Sequence, residues 1–350
     1  MPRAFASVSE FLAHGFDAVI DVRSPSEYAE DHVPGAVSLP VLSDDERARV
    51  GTIYVQDSPF RARKLGAALV ARNAAAHIEG PLADKGGSWR PLVYCWRGGQ
   101  RSGSFTTILG QIGWRAEQVE GGYRSWRRLV QRTLYEETLP HRLILLDGLT
   151  GTAKTELLHR LAKLGVQVLD LEGLARHRGS LLGGQPGGQP GQKAFETALV
   201  AQLAALDPAR PVLAEAESSK VGALSLPPAL WSAMQAAPRI EITATLDGRA
   251  RYLAQAYSDL AFDRDRLEPL LHQLVPLRGR ATVDRWVALL RDGRFDELAA
   301  ALMTDHYDPA YRRSRSRHPV AVLQTVDVGP LTGPDLERAA ERIAAAVTAG

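Results

Sequence analysis

Apolar residues in this chain fall into short continuous runs that stop at glycine, proline or charge. Ala18-Val19-Ile20-Asp21-Val22-Arg23, Pro91-Leu92-Val93-Tyr94, Arg142-Leu143-Ile144-Leu145-Leu146-Asp147 and the stretches 166–169, 211–214 and 239–246 are rich in Val, Ile and Leu. They do not alternate with polar residues, which predicts strands buried on both faces. Between them the apolar spacing lengthens to that of helices: from Ser24-Pro25, with Ser as cap and Pro in the first turn, over 102–109 and 124–134, after Lys154, across most of 263–300, and over 334–347. Turn residues at His32-Val33-Pro34-Gly35-Ala36 lead to a short strand ending at Pro40, and further strands are expected over 113–119 and 320–328. Buried strands alternating with helices predict an α/β protein whose chemistry sits in the loops at the carboxyl ends of its strands. A chain of 350 residues accommodates two such domains, and the pattern divides it into 1–135 and 136–350.

Composition narrows the setting. With 45% hydrophobic and 23% charged residues the chain reads as a soluble globular protein. Met1-Pro2-Arg3-Ala4-Phe5 lacks the apolar core of an export signal, and no run approaches the roughly 18 apolar residues of a membrane span, so a cytoplasmic protein without a membrane partner is expected. The one cysteine excludes an internal disulfide, and no Cys/His spacing suggests a structural metal. A formal net charge of +2 does not announce nucleic-acid binding, but the charge is clustered. Arg312-Arg313-Ser314-Arg315-Ser316-Arg317-His318 lies close to Tyr307 and Tyr311, and Arg124, Arg127, Arg128 and Arg132 form a second group. Either can bind a phosphate backbone or be a solvated surface.

The single cysteine lies where chemistry is expected. Tyr94-Cys95-Trp96-Arg97-Gly98-Gly99-Gln100-Arg101-Ser102 runs from the end of an apolar strand through a Gly-rich loop into a helix, which is how a chain builds an anion cradle. Loop amides, the helix N-terminus, Arg97 and Arg101 all favour a thiolate at Cys95, which makes it a candidate nucleophile rather than a small core residue. Arginine six residues after cysteine gives a loop like that of thiol phosphatases, wider than the rhodanese loop with its spacing of five. Such a loop suits a tetrahedral oxyanion. No histidine precedes Cys95, as it does in many phosphatases.

A second cradle follows the strand at 142–147. Gly148-Leu149-Thr150-Gly151-Thr152-Ala153-Lys154-Thr155 is a Walker A pattern between a strand and an amphipathic helix. Amides from Gly148 to Thr152 would wrap a diphosphate, Lys154 would neutralise it, and Thr155 is a candidate Mg²⁺ ligand. Ala153 stands where the pattern has glycine, which favours a diphosphate over tight triphosphate binding. Asp170, Glu172, Glu215 and Glu217, at the ends of strands 166–169 and 211–214, are candidate metal or second-site acids, or else caps. Arg176 and Arg178 border a Gly-rich stretch over 183–192 that is a surface loop or a lid for an anion.

Larger motifs fit known families. Asp21-Val22-Arg23 with Glu27 and His32-Val33-Pro34-Gly35-Ala36 resembles the opening motif of rhodanese domains, and Glu120-Gly121-Gly122-Tyr123 with Trp126 resembles their closing motif. Asp21, Arg23, Glu27 and His32 are read as structural. A rhodanese-like domain carrying the Cys95 loop, followed by a P-loop NTPase-like α/β domain with a helical extension, resembles the bacterial tRNA 2-selenouridine synthase family. Asp170-Leu171-Glu172-Gly173, His177-Arg178-Gly179-Ser180, Glu215-Ala216-Glu217-Ser218-Ser219 and His306-Tyr307-Asp308-Pro309-Ala310-Tyr311 strengthen that resemblance. The resemblance implies a transferase acting on the wobble 2-thiouridine of the tRNA anticodon arm. It implies S-geranylation from geranyl diphosphate, then replacement of the geranylthio group by selenium from selenophosphate, with no tightly bound cofactor and a selenophosphate-producing enzyme as a partner. On that basis the Walker region takes the prenyl diphosphate. Cys95 accepts selenium as a perselenide or otherwise promotes the selenium step, Arg97 and Arg101 stabilise the thiolate and released phosphate, and residues 312–317 hold tRNA. Two competing readings are a rhodanese-type sulfurtransferase with an ATP-dependent activating P-loop, and a tRNA-binding protein without catalysis.

Overall fold

The computed structural model describes residues 2–97, 99–180, 182–257, 264–315 and 321–348, the side chains of Arg264, Ser314, Arg315 and Thr348 excepted. They form two compact units: Met1–Thr138 with Pro190–Ala205, and Leu139–Gln189 with Leu206–Gly350.

The first unit is built on a four-stranded parallel sheet of β1 (Ala18–Asp21), β2 (Val37–Ser38), β3 (Pro91–Tyr94) and β4 (Glu117–Gln118), in the order β2-β1-β3-β4. Central strands β1 and β3 are largely apolar and bury Val19, Ile20, Leu92 and Val93 almost completely. The expected strand over 113–119 shrinks to Glu117–Gln118, and the preceding helix, Gln100–Ile112, is ended by Gly113 at φ 107°. Helices Asp44–Gln56 and Pro59–Glu79 pack on each other between β2 and β3. Asp21 and Arg23 are structural, as expected: their ion pair spans 2.6 Å with both side chains buried. The Arg23 guanidinium also lies 3.9 Å from the centre of the Tyr123 ring and donates to the Asp31 carbonyl.

Helix Gln192–Ala205 completes this unit, so a boundary at 135/136 follows chain order but not packing. Phe195, Leu199, Val200 and Leu203 are buried. Thr197 Oγ1 donates to Asp31 at 3.0 Å and accepts from Trp126 Nε1 at 3.3 Å, while Glu196 accepts from Tyr135 at 2.7 Å and pairs with Arg127.

In the second unit, β5 (Leu143–Gly148), β6 (Gln167–Leu169), β7 (Val212–Glu215), β10 (Arg239–Thr243) and β11 (Val322–Asp327) form a five-stranded parallel sheet ordered β11-β10-β5-β7-β6. A small antiparallel pair, β8 (Lys220–Val221) and β9 (Leu224–Ser225), stands apart. Strand β5 is central and fully buried, so the loop after it emerges with strands on both sides. β10 stops earlier than expected because Thr245 caps the next helix, Leu246–Ala256, accepting from the Gly248 amide at 3.1 Å. The apolar face of Lys154–Lys163 covers the sheet, and helix Gly333–Thr348 packs beside it. Helices Arg264–His272, Arg280–Arg291 and Phe295–Leu302 enclose a separate core around Leu271, Leu290 and Trp286. Trp286 is fully buried.

Candidate functional site

Cys95 follows β3 directly and is 3% exposed. Its sulfur accepts a hydrogen bond from the Ser102 hydroxyl at 3.3 Å, across the loop, in the first turn of helix Gln100–Ile112. Gly99 enters that helix in the left-handed region, φ 72°, which a glycine adopts without strain. The Cys95 carbonyl accepts from the Tyr123 amide at 2.8 Å, and a Cβ on Gly122 would fall 2.3 Å from that carbonyl oxygen. The closing Gly121-Gly122-Tyr123 motif thus fixes the Cys95 backbone through a contact only glycine permits. Arg97 is exposed, whereas Arg101 donates to Glu27 at 2.8 Å. The Glu27 carboxylate, 8% exposed, also pairs with Arg47 at 3.1 Å, and although burial opposes ionisation, these arginines hold it below the usual carboxylate range. Arg101 therefore borders the loop through a structural ion pair.

The second cradle opens after β5. Thr152 bends the loop back, its hydroxyl donating to the Leu149 carbonyl at 2.8 Å, and Lys154 Nζ donates to the Gly148 carbonyl at 2.9 Å. Ala153 precedes the helix with φ 58° and ψ 33°, the left-handed conformation, while only 4% exposed. Alanine there costs about 1–2 kcal/mol that glycine would not. The departure from the pattern thus acts through backbone strain, and the loop still takes its turn. Arg249 clamps the loop, donating to the Thr150 carbonyl at 3.0 Å and forming a bidentate pair with Asp308 at 3.0 and 2.9 Å.

Carboxylates gather beside the lysine. Thr155 Oγ1 donates to Glu172 at 2.8 Å. Burial raises the Glu172 carboxyl above its usual range, and burial together with the Glu172 charge pushes Glu217 up to about 7. The two hydrogen-bond to each other and hold a proton between them near neutral pH. Glu215, fully buried, accepts from the Leu171 amide at 3.0 Å, and burial, then the charges of Asp170 and Glu172, push it well above the carboxylate range. Asp170 caps helix Leu171–Ala175 through the Gly173 amide at 2.7 Å and pairs with His159 at 2.8 Å. The Thr155 hydroxyl directed at a carboxylate is the oxygen donor set of a hard cation such as Mg²⁺, so these residues fit one bound with a diphosphate. No three-ligand His, Cys, Asp or Glu cluster occurs among the described residues.

A cavity of about 1290 Å³ joins these parts. Thr150, Gly151, Thr152, Lys154 and Thr155 line it, with Asp170, Glu172, Glu217 and Arg178. Gly148, Glu215 and Arg176 do not line it, and Arg176 is exposed, ending helix Leu171–Ala175 at φ 48°. Arg178 lies 4.8 Å from the centre of the Tyr257 ring. Arg312 and Arg313 are exposed on helix Asp308–Arg315, while the Arg315 side chain and Arg317 fall outside the described residues. Tyr307, just before that helix, and Tyr311, in its first turn, line the cavity, and the Tyr311 hydroxyl accepts from the Gly148 amide at 3.2 Å. Sequence reasoning missed Tyr252, Tyr257 and Arg239 on this wall. Arg239 reaches Asp147 at 2.9 Å from the neighbouring strand, a pairing that only the β5–β10 register reveals.

Residues 6–129 match the rhodanese-like domain family and residues 141–266 the tRNA 2-selenouridine synthase AAA domain family, which establishes a rhodanese-like unit and a P-loop-type unit. The tRNA 2-selenouridine synthase of Chromohalobacter salexigens is 32% identical over 343 residues, covering 88% of this chain and 91% of the relative. That of Hahella chejuensis is 32% identical over 93% of this chain and 87% of the relative, and that of Nitrosomonas europaea 34% over 73% and 71%. With two cradles in the expected order and identity sustained along both units, the chain belongs to the tRNA 2-selenouridine synthase family.

Proposed function

We propose that the protein converts wobble 2-thiouridine in tRNA to 2-selenouridine by S-geranylation followed by selenium exchange. The observation that carries the reading is a phosphate loop whose lysine and threonine adjoin an acid pair, on the same chain as a separate cysteine cradle. In the first step the thiouridine sulfur attacks C1 of geranyl diphosphate. A C–S bond forms, the C–O bond to diphosphate breaks, and the uridine N3 proton is lost. The loop amides and Lys154 take up the charge of the leaving diphosphate. Thr155 and Glu172 would hold Mg²⁺, which supplies further neutralisation of that group when bound.

Alkylation makes the sulfur a leaving group. In the second step selenium of hydrogen selenophosphate adds to C2 and geranylthiol departs with one proton. Water then cleaves the Se–P bond, giving phosphate and restoring the proton at N3. With phosphate as product no atom is oxidised, so Cys95 serves as a promoter of the exchange beside Arg97 and not as a perselenide carrier. The exposed Arg312 and Arg313 are suited to the tRNA backbone. A selenophosphate-producing enzyme supplies the second donor.

Mass spectrometry of 2-thiouridine tRNA incubated with the protein, Mg²⁺ and geranyl diphosphate, then selenophosphate, tests this. A geranyl mass gain followed by its exchange for selenium is expected. No change with either donor, but ATP-dependent sulfur transfer from thiosulfate, would replace it with the sulfurtransferase reading.

A further inference from the structure

Beside the phosphate loop a second slot, of about 70 Å³, runs into the helical part of the same unit. It shares Thr150, Ser180, Leu253, Tyr257 and Tyr307 with the large cavity, so the two adjoin at that mouth. Beyond the mouth the walls are Leu182, Leu267, Phe295, Leu298, Leu302 and Met303. None of these side chains carries a nitrogen or oxygen. A nucleoside placed there would forfeit its hydrogen bonds to water with nothing in return, whereas a hydrocarbon gains about fourfold in affinity for each methylene it buries. The remaining wall residues are Ala254, from helix Leu246–Ala256, and Ala299, from helix Phe295–Leu302, two helices that pack together. The slot exists because these two positions carry only a methyl group.

We propose that the slot receives the hydrocarbon chain of the prenyl diphosphate whose head sits in the phosphate loop, and that Ala254 and Ala299 set the chain length accepted. The proposal rests on reading the loop as a prenyl diphosphate site and adds the residues that select the ligand. The thioether Met303 and Leu182, next to the Gly-rich stretch, are the walls that yield to a longer chain.

Calorimetric titration of the full chain with pyrophosphate, dimethylallyl, geranyl and farnesyl diphosphates, in Mg²⁺, tests it. Ala299→Phe should weaken geranyl diphosphate at least tenfold while pyrophosphate stays within twofold, and dimethylallyl diphosphate should become the preferred ester. Phe295→Ala should strengthen farnesyl diphosphate at least fivefold. Unchanged chain-length preference in both variants, in a wild type that does favour geranyl diphosphate, would remove the slot from the ligand site. Should Ala299→Phe lose pyrophosphate binding through misfolding, Phe295→Ala and Ala254→Leu decide alone. A wild type that binds geranyl diphosphate no tighter than pyrophosphate would instead overturn the prenyl reading itself.

Discussion

The two anion cradles are built on one plan and differ in charge. Each takes a buried central strand into a loop and then, through one left-handed residue, into a helix: Gly99 at φ 72° in the first, Ala153 at φ 58° in the second. Around the first, the buried carboxylate of Glu27 is balanced by Arg101 and Arg47 and stays ionised. Around the second, Lys154 adjoins Glu172 and Glu217, with Glu215 behind them, and burial drives these acids toward their protonated forms. A charge-balanced loop needs no metal ion before it meets an anion. On the proposed reading an acid-rich loop is short of positive charge until a cation comes with the diphosphate, so ligand and metal are expected to bind together.

The sharpest test of this division is to silence one cradle at a time. Lys154→Ala should slow geranylation by about 10²–10³-fold and leave selenium exchange on pre-geranylated tRNA within twofold, whereas Cys95→Ala should do the reverse. Both activities falling together in either variant, read by mass spectrometry of the tRNA, would break the separation. Opposite pH behaviour is the next largest effect. Glu27 has a lowered pKa in the fold, so its contribution is present above the unfolded value and is lost as pH falls through the folded one. Glu27→Gln should therefore destabilise at pH 7, by up to about 3 kcal/mol for a buried charge pair broken, and much less in acid. Glu217 titrates at about 7 in the fold against 4.5 ordinarily, so the folded state binds the proton more tightly and stability falls as pH rises through that window. Glu217→Gln should raise the melting temperature by about 2–4 °C at pH 8 and by nothing measurable at pH 5. Equal shifts at both pH values would show that the acids hold no shared proton. Smallest is the exchange of the left-handed residues: Ala153→Gly should stabilise, and Gly99→Ala destabilise, each by about 1 kcal/mol, as read by chemical denaturation.

Both cradles were legible because the features that make them are local: an apolar run, a turn and a capped helix within about fifteen residues. The acids could be placed at strand ends for the same reason. What local pattern does not encode is partnership. Leu298 and Leu302 read as core in any sequence, and only the gap left by Ala254 and Ala299 turns their surroundings into a slot. Tyr311 stands beside the basic run in the sequence, yet its hydroxyl meets the Gly148 amide, a contact spanning much of the second unit's sequence. Helix Gln192–Ala205, rich in Ala, Leu and Val, signals burial without saying against what.

That helix bears on how the protein is made. As the chain leaves the ribosome, residues 1–138 emerge with Trp126, Asp31 and the face that receives Phe195 and Leu199 still lacking their cover, and the whole of the second unit's phosphate loop is synthesised before the cover arrives. The first unit closes only once residue 205 has been delivered. During that interval an apolar face stands open to the chaperones and proteases of nascent chains. A gene segment ending near codon 138 would encode the sheet and the cysteine loop without the helix that covers Trp126 and Asp31, so the first unit is spelled out in two stretches of the gene separated by part of the second.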